Sequence, residues 1–220
     1  MSHRPERWFP AAGLRDGSLY PVLCGSATKN VGVQTLLDFM ASCAPSPLEA
    51  PVTGATNPQT NKTEHLEPKA DGPTALMVFK TTADPYTGRI NIFRVYSGTV
   101  RSDAQAVNVS RHQKERIGQL AQPLGKELRP VAELGAGDIG AVAKLKDVQT
   151  GDVLVDAEHD LEPPALGFPE PVMSFAVTAK TKGDEDKVAQ ALRRLAEEDP
   201  TLHLRRDAQT GEELLAGMSQ

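Results

Sequence analysis

From Thr74 to about residue 160 the chain consists of short apolar runs punctuated by turn residues, with no long helical pattern between them. "TALMVFKTTADPYTGRINIFRVYSGTV" holds two such runs joined by "ADPYTG", in which Asp84-Pro85 and Gly88 are turn formers. β-Branched and aromatic residues favour extended backbone, whereas Asp-Pro and Gly favour reversal. "AQAVNVS", "KERIGQL", "KELRPVAEL" and "IGAVAKL" continue the series, with turns at "SGTVRSD", "GAGD" and "QTGD". Many short strands must bury one face and dispose of their edges, which predicts a closed antiparallel barrel over 74–160. Pro123 and Pro130 lack a ladder donor and are expected in a loop or at a strand's start.

The flanking segments read differently. In "YPVLCGSATKN", residues 20–30, an apolar run breaks at once into Gly25-Ser26-Ala27. This predicts a buried strand delivering a tight loop whose backbone N–H groups can approach something flat or anionic. Val33, Leu36, Leu37, Met40 and Cys43 then recur at helical spacing until Pro45 and Pro47 stop them. Strand, loop and helix make half of an α/β unit without the parallel sheet that would cover it. Residues 44–73, rich in Pro, Thr, Ala and Asn, lack an apolar period and read as linker. "LEPPALGFPEP" is a second proline-rich hinge, followed by a strand at "VMSFAVTAK". In "GDEDKVAQALRRLAEEDP" Val188, Ala191, Leu192 and Leu195 share a helical face, Asp184 is the expected N-cap and Pro200 the stop. Two strands around Gln209-Thr210-Gly211 complete β-α-β-β, the first two-thirds of a split βαββαβ domain.

Charge narrows the function classes. The 220 residues carry 24 basic against 29 acidic side chains, net −5, and no strongly positive segment announces nucleic-acid binding. The start lacks the continuous apolar run of a signal peptide and no window reaches transmembrane length, so a cytoplasmic location is expected. Cys24 and Cys43 have no CxxC spacing and read as reduced thiols in apolar surroundings.

Catalytic motifs are sparse. A phosphate-binding GxxxxGK[ST] run is absent, and the only string like a guanine-reading Asn-Lys-x-Asp is Asn61-Lys62-Thr63-Glu64, inside the linker. His3, His65, His112, His159 and His203 are scattered, without metal-ligand spacing. Ser26 does not sit in a GxSxG elbow. Asp138 and Asp152 lie beside glycines, where a carboxylate ordinarily caps turn N–H groups. No catalytic or metal-binding residue is therefore expected. The most basic stretch, "SRHQKERIG", offers Arg111, Lys114 and Arg116 either as solvated strand ends or as contacts to RNA phosphate.

"YPVLCGSATKNVGVQTLLDFMASCAPSP", "DPYTGRINIFRVYSGTV", "KERIGQL", "AGDIGAVAKLKDVQTGDVL" and "FPEPVMSFAVTAKTKGDEDKVAQALRRLAEEDPTLHLRRDAQTGEELLAGM" form an ordered series. Together they closely resemble the middle of bacterial elongation factor G, the ribosomal translocation GTPase, over roughly residues 13–220 apart from the linker. The resemblance implies a mixed fold: an antiparallel translation-factor β-barrel flanked by a remnant of an α/β GTPase domain and a partial split βαββαβ (ferredoxin-like) domain. Its boundaries would be 1–45 for the GTPase remnant, 46–73 linker, 74–160 barrel (domain II), 161–170 hinge and 171–220 truncated domain III. It also implies that Ser26 and Ala27 belong to the loop that contacts guanine, and that Arg111, Lys114 and Arg116 could meet the small ribosomal subunit. GTP and Mg²⁺ are implied for the full-length parent and no cofactor for this chain, whose expected state is a monomer binding neither DNA nor membrane.

The departures from the family are specific. The P-loop, switch regions and Asn-Lys-x-Asp element are missing, so the chain reads as an internal fragment that does not hydrolyse GTP. Lys144 stands where the family commonly has Gly, and Met218-Ser219-Gln220 leans toward the actinobacterial-type paralogues. The alternative reading is a stand-alone β-barrel module that binds RNA or protein.

Overall fold

The computed structural model describes residues 11–49, 53–57, 61–84, 88–156, 161, 164 and 166–219. His3, His159, the Pro85-Tyr86-Thr87 turn, and parts of both proline-rich segments lie outside the described residues. By its contacts the chain divides into two units, residues 1–52 and 53–220.

The first unit contains two helices, α1 (Ala11–Arg15) and α2 (Val33–Cys43). The strand expected at Tyr20–Cys24 does not form; a single antiparallel bridge joins Ser26 to Val31. Tyr20 is 83% and Val22 90% exposed, because an apolar run becomes a buried strand only where another strand offers it a ladder. No α/β GTPase sub-fold is present among the described residues of this unit. Cys24 is exposed and Cys43 buried, both as free thiols.

In the second unit two polar strands, β1 (Thr53–Asn57) and β2 (Lys62–Leu66), pair as a hairpin. An eight-stranded antiparallel sheet follows. Its members are β3 (Ala75–Asp84), β4 (Gly88–Ser97), β6 (Gln105–Asn108), β7 (Gln113–Arg116), β8 (Leu120–Leu124), β9 (Glu127–Val131), β11 (Ile139–Ala143) and β12 (Val153–Asp156), ordered β7-β6-β12-β3-β4-β11-β8-β9. β5 (Thr99–Arg101) and β10 (Glu133–Gly135) pair separately.

The expected closed barrel is not what forms: β7 and β9 end the sheet without pairing to each other, so it is open. The edge sequences give the reason. Lys114 and Arg116 line β7, while Glu127, Arg129 and Pro130 line β9; charges and a missing N–H resist a further strand. Both prolines lie within strands rather than in loops. Pro130 is tolerated on the edge, and Pro123 falls beyond Leu120–Ala121, the part of β8 paired to β11.

Burial explains why β3 reads as a continuous apolar run. Leu76 and Val78 join Phe93, Val95, Ile117, Leu120 and Leu154 in one core. Ala75 and Met77 point the other way, into a second core with Ala55, Leu66, Val109, Val153 and Val155. The hairpin β1–β2 thus contributes Ala55 and Leu66 to the second face, although too few of its residues are apolar to show a period.

β13 (Met173–Ala176), α3 (Glu185–Glu198), β14 (His203–Arg206) and β15 (Glu213–Gly217) form a three-stranded antiparallel sheet, β13-β15-β14, with one helix. The strand and helix order is as expected, but the split ferredoxin-like fold is not assembled: among the described residues there is no second helix and no fourth strand. Every residue of β13 is exposed, as on a sheet edge that no described residue covers. The Asp184 side chain makes no cap bond; it pairs instead with Lys187 Nζ at 2.7 Å.

Candidate nucleic-acid interface

The Gly25–Gly32 loop is pinched by two backbone hydrogen bonds, Ser26 N–H to Val31 O at 2.9 Å and Val31 N–H to Ser26 O at 3.0 Å. A Cβ on Gly25 would lie 2.8 Å from Val31 O, and one on Gly32 2.7 Å from Cys24 O, so only glycine permits this approach. Asn30 reverses the chain at φ 52° and donates its N–H to Ala27 O at 3.2 Å. The Ser26 N–H is thus committed internally, while the Ala27 N–H has no acceptor among the described residues. Small side chains and open donors suit the edge of a planar group. A triphosphate with Mg²⁺ does not fit the residues present: the loop has no phosphate cradle, and no group of three or more His, Cys, Asp or Glu could hold a metal ion among the described residues.

Arg111, Lys114 and Arg116 lie at the β7 edge of the large sheet, but their circumstances differ. Arg111 precedes the strand and its Nε donates to Asp152 Oδ2 at 2.8 Å, while its terminal nitrogen reaches Gln149 Oε1 at 2.5 Å. Asp152 is buried, and the same oxygen accepts from Asn108 Nδ2 at 2.8 Å and Gln149 N–H at 3.0 Å. Arg111 is therefore held inward as the partner of a buried carboxylate. Arg116 pairs with Asp103 at 2.9 Å, with both side chains about two-thirds exposed, a bond worth little in water and readily exchanged. Lys114 is exposed and has no ion-pair partner among the described residues. Lys114 and Arg116 alternate with buried Glu115 and so share the outer face.

Glu115 carries no motif in the sequence, yet it fixes the neighbouring loop. Its carboxylate accepts from Lys146 N–H at 3.3 Å and Asp147 N–H at 3.1 Å, seating the exposed Lys146 beside β7. Buried carboxylates require such donors. A partner 31 residues away leaves no local signal. Asp138 takes the turn role expected of it, accepting from Gly135 N–H at 2.9 Å.

Residues 73–157 match the family model described as Elongation factor G domain 2, and residues 168–220 match that of Elongation Factor G, domain III. A crystal structure from Thermus thermophilus is similar over 96% of this chain, with 31% sequence identity and a TM-score of 0.71; this chain spans 29% of that protein's length. The chain therefore carries, in order, segments like the second and third domains of elongation factor G, and is consistent with a fragment of a protein of that family.

Proposed function

We propose that the chain is a ribosome-contacting stretch of an elongation factor G-like translational GTPase, working in translocation in the cytoplasm and not hydrolysing GTP by itself. The observation that carries this reading is the pair of consecutive domain matches, in family order, over 73–157 and 168–220. In this reading 74–160 is domain II, 161–170 the hinge and 171–220 part of domain III. Ser26 and Ala27 contribute to a guanine contact completed by other residues of the parent. The tail Met218-Ser219-Gln220 leans toward a parent among the actinobacterial-type paralogues.

The physical division of labour is simple. Cations on a sheet edge position a protein on RNA phosphates without reading sequence, and the two at β7 suited to this are the exposed Lys114 and Arg116, whose pair with Asp103 is exposed and readily exchanged. Hydrolysis requires groups that neutralise charge on the transferred phosphoryl, and no GxxxxGK[ST] run supplies them here. The test is competition on small ribosomal subunits. The chain is expected to pellet with them weakly and to be displaced by intact elongation factor G. Calorimetry with GTP and Mg²⁺ is expected to show no dissociation constant below about 10 μM, roughly −7 kcal/mol. Pelleting that intact factor leaves untouched, or tighter GTP binding, would overturn the proposal.

A further inference from the structure

Among the described residues, the outer half of β3 has a neighbouring strand on one side only. β12 pairs with β3 only at Ala75–Met77, and the last backbone bonds on that side join Val78 to Gly151 and Asp152. Beyond the bulge between Val78 and Lys80, β4 is the one strand that pairs with residues 80–83 among the described residues. A strand paired on one side only directs alternate backbone N–H groups away from its partner.

One of them, Ala83 N–H, donates to Glu198 Oε1 at 2.5 Å, and α3 packs against β3 as well as β14. Glu198 is the last residue of α3, whose final turn contains no basic residue. A carboxylate at a helix C-terminus opposes the helix dipole, so Glu198 works against its own helix. Its acceptor role across the fold gives that placement a purpose. The second point of contact is at the hinge. Gly151 adopts φ +97°, and a Cβ there would lie 2.9 Å from Phe168 Cε2 and 3.9 Å from Leu166 Cβ. Phe168, in the segment between β12 and β13, therefore rests directly on the Gln149–Asp152 turn.

We infer that Glu198 is a latch: its carboxylate caps the free edge of the β3–β4 arm at Ala83 and holds the α3 unit in one orientation on the large sheet, with Leu166–Phe168 over Gly151 as the pivot. Releasing this hydrogen bond leaves only the packing of α3 on β3 to hold the unit, so β13–β15 with α3 can swing without unfolding either sheet. A single bond between exposed partners is cheap to break, as a switchable contact has to be.

The test is amide hydrogen exchange and residual dipolar couplings on the full chain, comparing the native protein with Glu198→Ala and Glu198→Gln. Glu198→Ala is expected to speed exchange at the Ala83 amide by about tenfold or more, while Phe93 and Leu154 stay protected. The couplings of α3 should then cease to share one alignment with the large sheet. Glu198→Gln keeps an acceptor oxygen without the charge and should fall between the two. Unchanged Ala83 exchange in Glu198→Ala, or a common alignment kept in that variant, would overturn the latch. Loss of protection throughout the large sheet in Glu198→Gln would also overturn it, by making Glu198 a general stabilising residue.

Discussion

Replacing Lys144 by glycine should stabilise the protein. Lys144 follows β11 directly and sits at φ 64°, in the left-handed region, with its N–H bonded to Arg89 O at 3.0 Å. For a residue with a Cβ that conformation costs about 1–2 kcal/mol, and for glycine nothing. Glycine also loosens the unfolded chain, which returns about 0.5–1 kcal/mol of the gain. The net stabilisation is about 0.5–1 kcal/mol, a rise in midpoint temperature of about 1–4 °C for a chain of this size. The exposed side chain has no ion-pair partner among the described residues, so little is lost with it.

Two companions isolate the cause. Lys144→Ala removes the amine and keeps the Cβ, so it should change stability by less than about 0.5 kcal/mol. Gly88→Ala, at φ +80° with no described residue within 4 Å of the new methyl, should destabilise by about 0.5–1 kcal/mol through backbone strain. Urea unfolding followed by circular dichroism, with a common slope for all variants, reads the differences. If Lys144→Ala stabilises as much as Lys144→Gly, the gain comes from the side chain and the backbone argument fails.

Asp152→Ala removes the acceptor of three hydrogen bonds and strands Asn108 Nδ2 in the core, so urea unfolding should show a loss of about 2–3 kcal/mol; a loss under about 1 kcal/mol would contradict the network. The Asp207 carboxyl is held below its ordinary value by the N–H of Thr210 and then that of Gln209. Its contribution to the β14–β15 turn is therefore complete above the unfolded value near 3.9 and disappears as pH falls through the lower folded value. Carbon-detected titration should place this carboxyl below the ordinary range, and Asp207→Asn should remove the acid-dependent shift of the Thr210 amide.

What can be read from the sequence depends on how local the cause is. β3, β4 and α3 are legible because their apolar spacing and flanking turn residues act within a few positions. Lys144 is legible as an oddity, and the positive φ explains why glycine suits that site. Barrel closure is not legible: it depends on whether β7 and β9 meet, and strand number carries no information about that. The run at Tyr20–Cys24 has the composition of a strand but, among the described residues, no neighbour to pair with. Arg111 looks equivalent to Lys114 and Arg116 in the sequence, because its restraint comes from Asp152, 41 residues away in the chain. The hairpin β1–β2 is hidden by polar residues that reach the core at only two places, Ala55 and Leu66.

Contact with ribosomal RNA through the β7 edge is the physical claim at the centre of the proposed function, and the salt dependence of binding to small ribosomal subunits probes that contact without an intermediary. Arg111 should be left intact, since its loss would unpair buried Asp152 and confuse binding with stability. The comparison is between the native chain and a Lys114→Ala, Arg116→Ala variant, by co-sedimentation across a salt series. Each phosphate contact contributes close to one to the slope of log affinity against log salt, so the double variant should bind more weakly with a slope shallower by about 2. Equal affinity and equal slope for the two proteins would contradict the contact and leave the family likeness as a statement about ancestry and domain order.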